Sequence, residues 1–250
     1  MPPTVERIQR LTERLRLATP LIALYDARPS DAFAPLVEPT GSTCCFAYYG
    51  RWLAGETLVV RKGSKGCQGA VRALGLEKTY PAYMAHFLTD GVGAPKGEGL
   101  KAAAELAQAF IDRAKPPDVR SGAVLIGLLR PEQWNTVRSV TFLVDPDRLS
   151  GVMTLAGYWS AANEVVAPFG SGCSFLWRAL GEADGDRAVL GATDLAMRRY
   201  LPREMLTLTV SPARFEKMLT FPGDSFLYRR WWNDLMDSRK NPEARVQTPE

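Results

Sequence analysis

The chain has 250 residues, 46% of them hydrophobic and 10% aromatic, which favours one large folded domain or two small ones over a disordered chain. Its formal net charge of +4 comes from 31 basic and 27 acidic side chains that are mixed along the sequence. Because no basic block is present, nucleic-acid binding is not expected. The N-terminus lacks the apolar core of a signal peptide, and no later stretch is long enough to cross a bilayer, so we expect a cytoplasmic protein without membrane contact.

The first half of the sequence predicts alternating helices and strands. Thr4 has the chemistry of an N-cap, and apolar residues at helical spacing after it predict a helix that stops near Pro20. Strands are predicted at 21–25 and 57–60, helices at 45–53 and 67–74, and a loop at 29–39. Four glycines between 91 and 99 predict a connection before an alanine-rich helix at 100–114.

The second half continues the alternation. Asp145-Pro146 and Ser211-Pro212 combine an N-cap with proline at the first helical position, and predict helices that run toward residues 159 and 219. Strands are predicted at 123–129, 140–144, 188–190 and 206–210, a helix after Cys173, and an aromatic-rich helix at 226–236 before a polar tail.

This pattern predicts an α/β or α+β fold, a mixed sheet flanked by helices. We expect a single domain over 1–220, with 91–99 as the point at which it would divide into two lobes, and a C-terminal aromatic helix and polar tail over 221–250. The strand order stays open. Apart from the cysteine segments described next, we detect no internal repeat.

All four cysteines lie in short segments of small residues, just before predicted helices. These segments are Gly41-Ser42-Thr43-Cys44-Cys45, Gly63-Ser64-Lys65-Gly66-Cys67 and Gly170-Ser171-Gly172-Cys173. A helix N-terminus presents free N–H groups and a positive dipole end, which favour thiolate over thiol and attract anions. We therefore expect Cys44, Cys67 and Cys173 to converge on one concave, anion-attracting site. Cys45 is almost as good a candidate as its neighbour, and Gly66 and Gly172 are the candidate binding positions for a cofactor or anion.

The chemistry of such a site has several alternatives. Four cysteines are too few and too unevenly spaced for a disulfide scaffold. Three of them would ligate three corners of an iron–sulfur cluster. The fourth corner would be taken by Asp194, by the second vicinal cysteine or by an exogenous ligand, or it would have no ligand. The usual C-x-x-C spacing is absent, and buried cysteine is commonly a small hydrophobic residue. Packing, zinc binding and a reactive thiol therefore stay open.

Asp194 and Arg198 are the candidate catalytic residues. The turn Gly191-Ala192-Thr193-Asp194 follows a predicted strand and precedes a predicted helix, so it repeats the cysteine loops with a carboxylate in place of sulfur. We expect Asp194 to lie beside the cysteines as a ligand or an acid/base group, with Arg198 one turn later to hold its charge. The alternatives are a helix cap for the aspartate and a solvated surface for the arginine.

Two further features bear on partners. Trp231 and Trp232 lie beside Arg229 and Arg230 in the closing helix, which is a candidate docking surface for a second subunit or a redox partner, or else packs on its own domain. His86 is the only histidine, so a two-histidine metal site is excluded, and we expect a core or capping role for it.

The sequence resembles one known family over roughly residues 5 to 220. The residues that carry the resemblance are Cys67-Gln68-Gly69-Ala70 with Leu74-Gly75-Leu76, Cys44-Cys45, Gly172-Cys173, Leu143-Val144-Asp145-Pro146, and Arg199-Tyr200-Leu201-Pro202-Arg203-Glu204-Met205. They resemble domain of unknown function 169, the archaeal cysteine-rich (ArCR) family. The resemblance implies a cysteine-bearing, iron–sulfur-linked protein of anaerobes and metabolically versatile microbes.

The resemblance also implies that some relatives carry a further cysteine where this chain has Gly191-Ala192-Thr193-Asp194, and this chain departs from them there. Two functions stay open at this point. One is a cytoplasmic iron–sulfur protein that acts on a small anionic metabolite. The other is a metal-free small-molecule-binding, anion-binding or accessory protein whose cysteines are structural.

Overall fold

The eight strands of the described chain form one mixed sheet. A computed structural model describes residues 2–41, 43–80, 82–90, 97–113, 117–162, 164–167 and 186–238. Within these ranges the strands follow the order β2-β3-β4-β1-β5-β8-β7-β6 across the sheet. They are β1 (Ile22–Tyr25), β2 (Leu36–Val37), β3 (Thr57–Arg61), β4 (Ala123–Leu128), β5 (Val137–Val144), β6 (Val165–Val166), β7 (Ala188–Gly191) and β8 (Leu206–Val210).

The helices connect these strands and cover both faces of the sheet. The α-helices are α1 (Val5–Arg14), α2 (Tyr49–Leu53), α3 (Gln68–Ala73), α4 (Met84–Leu88), α5 (Ala104–Arg113), α6 (Pro146–Ala156), α7 (Leu195–Arg198), α8 (Pro212–Met218) and α9 (Arg230–Ser238). Short 3-10 helices occur at Asp31–Phe33, Cys45–Tyr48, Pro131–Thr136 and Phe226–Tyr228. This arrangement confirms the α/β prediction. None of the described helices is both long and apolar enough to cross a bilayer.

The predicted N-caps are confirmed. Thr4 accepts a hydrogen bond from the backbone N–H of Arg7 at the start of α1. Asp145 and Ser211 do the same for α6 and α8, each with proline at the first helical position. These caps are local in sequence, which is why the residue types alone predicted them.

The sheet consists of two halves with the same strand order. From the centre outward, β1 is followed by β4, β3 and β2 on one side, and β5 by β8, β7 and β6 on the other. In both halves the inner pairs are antiparallel and the outermost pair is parallel. Because β1 and β5 are antiparallel neighbours, a half-turn about an axis between them exchanges the two halves. The expectation that the chain has no further internal repeat was wrong.

The two faces of the sheet carry separate hydrophobic cores, because successive strand side chains point to opposite faces. On one face, which we call the helical face, Tyr25 and Phe142 pack with side chains of α1, α6, α8 and α9. On the other, which we call the cysteine face, Leu24 and Leu143 pack with the 3-10 helix Cys45–Tyr48 and with α2, α3 and α7. The cysteine loops therefore lie over one defined face of the sheet.

Several sequence predictions need correction or fall outside the described residues. The predicted loop 29–39 contains β2, and β6 was also missed, because each strand has only two residues. Strands before and after 91–99 pair within one sheet, while residues 91–96 themselves lie outside the described ranges. The helix predicted after Cys173 and most of the polar tail also lie outside them.

Candidate functional site

The two cysteine loops of the first half are joined to each other. The backbone N–H of Cys67 donates to the carbonyl of Thr43, at 3.2 Å. A Cβ atom at Gly66 would lie 2.9 Å from the Cβ of Pro39, closer than such atoms approach in proteins. Glycine at 66, a predicted cofactor-binding position, therefore lets the two loops pack against each other.

Hydrogen bonds within the first loop hold Cys44 in place. The hydroxyl of Thr43 donates to the carbonyl of Thr40 at 2.7 Å, and the backbone N–H of Thr40 donates to the hydroxyl of Tyr48 at 2.8 Å. Cys44 is the N-cap residue of the following 3-10 helix and is partly exposed. Cys45 is only 2% exposed and belongs to the core of the cysteine face, so the two vicinal thiols have different environments.

The thiols of this site are not activated. Burial raises the pKa of Cys44 to about 12; the backbone N–H of Phe46 opposes the rise, and negative charge at Cys45, Cys67 and Asp194 adds to it. Burial likewise raises the pKa of Cys67, against the backbone N–H groups of the next turn. The expectation that helix N-termini would favour thiolate was wrong, because desolvation outweighs a few N–H dipoles at the start of a short helix.

The same pKa shifts name the charged groups that act on the two thiols. Negative charge at Cys45, Cys67 and Asp194 raises the pKa of Cys44. Negative charge at Cys45 and Asp194 raises the pKa of Cys67. Cys44 and Cys67 pack against the same buried cluster that contains Cys45, Ala192 and Met197. Asp194 therefore lies near enough to both thiols for its charge to act on them.

Asp194 and Arg198 have different surroundings. Asp194 is half-buried, and its Oδ1 accepts from the backbone N–H of Met197 at 3.0 Å, which caps α7. Arg198 donates to the carbonyl oxygens of Pro202, Arg203 and Met205. Its guanidinium thus holds the loop that follows α7, rather than the Asp194 carboxylate that it was expected to balance.

The remaining predicted site residues, Cys173 and Gly172, lie outside the described residues. In the described ranges, no group of three or more His, Cys, Asp or Glu side chains is arranged to hold a metal ion. The described residues alone therefore do not form the metal centre that the sequence predicted.

The comparisons with known proteins identify the family. A family model described as uncharacterised ArCR, domain of unknown function 169, matches residues 10–220. The chain belongs to this family. No curated protein and no solved structure matches it. Membership in the ArCR family confirms the resemblance seen in the sequence; its description assigns no activity, and a cysteine-rich family is compatible with a metal cofactor.

One sequence signal of this ArCR protein was missed. The stretch Val37-Glu38-Pro39-Thr40-Gly41-Ser42-Thr43-Cys44-Cys45-Phe46 matches Val166-Ala167-Pro168-Phe169-Gly170-Ser171-Gly172-Cys173-Ser174-Phe175 at six of ten positions. Each stretch begins at the last residue of the outermost strand of its half. Cys173 is therefore the counterpart of Cys44, and Ser174 stands where the first half has Cys45.

Two other sequence candidates lie away from the cysteines. His86 is exposed on α4, contrary to the expected core role. In α9, Trp232 is buried and its indole N–H donates to the carbonyl of Arg14 at 2.8 Å, so one face of this helix packs on its own domain. The neighbouring Trp231 is 89% exposed.

Proposed function

We propose that this cytoplasmic protein binds an iron–sulfur cluster on its cysteine face, with Cys44, Cys67 and Cys173 as thiolate ligands. The observation that carries the proposal is the meeting of two partly exposed thiols, from separate loops, beside a third thiol and a carboxylate. These thiols are uncharged at neutral pH, but as thiolates beside a carboxylate they would repel one another, and a bound cation would remove that repulsion. A metal centre at this place would supply that cation.

The donor chemistry fits a cluster. Thiolates are the normal ligands of iron–sulfur clusters, and backbone N–H groups near the ligating sulfurs tune such clusters. The N–H of Phe46 is directed at Cys44, and those of Gly69 and Ala70 at Cys67. The first half supplies two of the ligands, and the repeated stretch in the second half supplies Cys173 as the third.

The raised thiol pKa values argue against a nucleophilic cysteine. A thiol whose pKa lies near 12 is protonated at neutral pH, and the thiolate is the nucleophilic form. A metal centre deprotonates its thiol ligands outright, so the same thiols are competent as ligands. The raised pKa values therefore count against covalent catalysis, whereas they do not count against metal binding.

A bound cluster would supply electron transfer or Lewis-acid chemistry. With three cysteine ligands, its fourth corner is open to a weaker ligand. A small anionic metabolite is the ligand class that we propose for this corner, because an anionic oxygen ligand can bind iron there and is displaced more easily than a thiolate.

The proposal is tested by reconstitution of the metal-free protein with iron and sulfide under anaerobic conditions. We expect cluster absorbance in the wild-type protein and its loss in Cys44→Ala, Cys67→Ala and Cys173→Ala. Cys45→Ala is the matched control, because its thiol is buried in the core and its counterpart in the second half is a serine. This variant should retain the cluster.

A wild-type protein that takes up no iron would overturn the proposal. Uptake of zinc and not of iron at the same cysteines would also overturn it, and would identify a zinc site in place of the cluster. If neither metal binds, and the cysteine variants change only the stability, the cysteines are packing residues of a metal-free binding or accessory protein.

A further inference from the structure

The outer face of α9 carries the most exposed large hydrophobic side chain of the described ranges. Trp231 is 89% exposed, whereas the next in order, Leu195 of α7, is 74% exposed. The neighbouring Trp232 is buried and hydrogen-bonded, so α9 is fixed on its own domain while Trp231 points away from it. Tryptophan is mostly buried in folded chains and is enriched at the centres of protein interfaces, so this position is a candidate contact for a partner.

Charged side chains of opposite sign lie along the same exposed face of α9. Arg230 begins the helix, and Asp234 lies one turn later; both side chains are exposed and form an ion pair at 2.9 Å. Asp237 in the last turn is also exposed and pairs with Arg16 of α1 and its following turn. The helix therefore runs from a basic first turn to an acidic last turn.

This charge order is the reverse of the one that stabilises a single helix. The N-terminus of a helix is the positive end of its dipole and favours acidic side chains, and the C-terminus favours basic ones. Within Arg230–Ser238, the first turn has no acidic residue and the last turn has no basic one. An antiparallel copy of α9 would correct both ends, because its acidic end would lie beside the basic end of the first helix.

We propose that the exposed face of α9 binds the same face of α9 in a second copy of this chain, antiparallel and about a two-fold axis. A surface that is basic at one end and acidic at the other is complementary to itself in this orientation. With the axis beside Trp232, Arg230 of each copy lies level with Asp234 of the other. The two Trp231 rings are then offset by about 3 Å along the helix direction, which lets them stack.

The charges also decide against other arrangements and other occupants. A parallel copy would place like charges opposite each other. An anionic lipid surface or a nucleic acid would be attracted to Arg230 but repelled by Asp234. Since α9 packs on the helical face, a copy bound to it lies on the opposite side of the sheet from the cysteine loops, and the inference is independent of metal binding.

Sedimentation equilibrium of the full chain tests the proposal. A pair of nine-residue helices buries a small interface, so we expect a reversible dimer with a dissociation constant on the order of 10 to 100 µM. Trp231→Ala should weaken this dimer about tenfold or more, and should leave thermal unfolding unchanged because the side chain is exposed. Trp159→Ala is the matched control, since Trp159 is an exposed tryptophan that follows α6, and it should not change the dissociation constant.

Charge reversal tests the antiparallel orientation. Arg230→Asp and Asp234→Arg should each weaken the dimer about tenfold or more, because each places like charges between the two copies. An equimolar mixture of the two variants should form a heterodimer with the wild-type dissociation constant, since every reversed charge then faces an opposite one. In a parallel dimer, neither single variant would weaken association.

The proposal fails if the wild-type chain stays monomeric up to about 300 µM, well above the expected dissociation constant. It also fails if a dimer forms that Trp231→Ala and the charge variants leave unchanged, because the interface then lies elsewhere. Co-sedimentation with phosphatidylserine vesicles tests the lipid alternative. We expect no binding of the wild-type chain, whereas binding that Trp231→Ala abolishes would assign this face of α9 to a membrane surface and contradict the proposal.

Discussion

The two halves of the sheet have the same strand order but different side chains on the cysteine face. In the first half, Ile22 pairs with Leu128. The equivalent pair in the second half is Thr141 with Thr209, whose hydroxyls lie 2.8 Å apart. The two halves therefore share the same strand arrangement. On the cysteine face, the sheet surface is apolar in the first half and carries threonine hydroxyls in the second.

The halves also differ in what covers the helical face. After β5 the chain forms α6, whereas after β1 it forms only the 3-10 helix Asp31–Phe33. The two halves therefore have the same strand order although different helices pack on the helical face of each. The loops that deliver sulfur are the part in which the two sequences agree best.

The largest expected effect is the low reactivity of the thiols in the first half. Because burial raises the pKa of Cys44 to about 12, we expect its alkylation by iodoacetamide at pH 8 in the metal-free protein to be about a thousandfold slower than that of an ordinary thiol. Mass spectrometry of the labelled peptide measures this rate. The urea-unfolded chain is the control, and a folded rate within tenfold of it would contradict the burial argument.

The second half depends on α6, and Gly151→Ala tests that dependence. A Cβ at Gly151 would lie 2.5 Å from Cη2 of the buried Trp232 in α9. Such overpacking against a rigid ring should lower the free energy of unfolding by about 3 kcal/mol, measured by thermal or urea unfolding. Gly157→Ala is the matched control, since the nearest atom would be 3.7 Å away, and it should change stability little.

Asp26 and Asp145 occupy equivalent positions after β1 and β5, but only Asp26 is fully buried, with a side chain 1% exposed. Burial alone would raise the pKa of Asp26. Hydrogen bonds from Ser121, the backbone N–H of Arg120 and the Arg138 guanidinium outweigh it, so the pKa lies below its usual value.

The acid stability of the protein should reflect this difference. A lowered folded-state pKa gives stability that is present above the unfolded pKa near 3.9 and is lost as the pH falls through the folded value. Asp26→Asn should cost about 2 kcal/mol at neutral pH and flatten the pH dependence below pH 4. Urea unfolding at several pH values measures both; an unchanged acid profile in the variant would refute the assignment.

The smallest change in stability is expected for the threonine hydroxyls on the cysteine face of the second half. The hydroxyl of Thr207 is buried and has no hydrogen-bond partner among the described residues, whereas that of Thr209 is paired with Thr141. Thr207→Val should therefore stabilise the protein by about 1 kcal/mol, and Thr209→Val should destabilise it by a similar amount. Equal destabilisation by both substitutions would show that both threonine hydroxyls are hydrogen-bonded.

The features that the sequence predicted correctly are local ones. Asp145-Pro146 and Ser211-Pro212 predicted their helices because cap and proline act within one turn. β2 and β6 were missed because a two-residue parallel strand at a sheet edge has no periodicity of its own. The strand order and the relation between the halves depend on pairing across the sheet, on which local patterns are silent.

The candidate site divides in the same way. That small-residue loops present Cys44 and Cys67 at helix starts was readable from residue types. The thiol pKa was predicted with the wrong sign because burial belongs to the folded chain and not to the loop. The contacts of Arg198 were missed because its carbonyl acceptors lie in the loop after α7 rather than before it.

The central claim is that the two halves meet in one metal centre. Its most direct test is the content of iron and acid-labile sulfide in the wild-type protein purified without oxygen, beside Cys67→Ala and Cys45→Ala. The account predicts a coloured wild-type protein that contains both iron and sulfide, a colourless Cys67→Ala protein without them, and a Cys45→Ala protein like the wild type. A colourless wild-type protein with neither iron nor sulfide would contradict it.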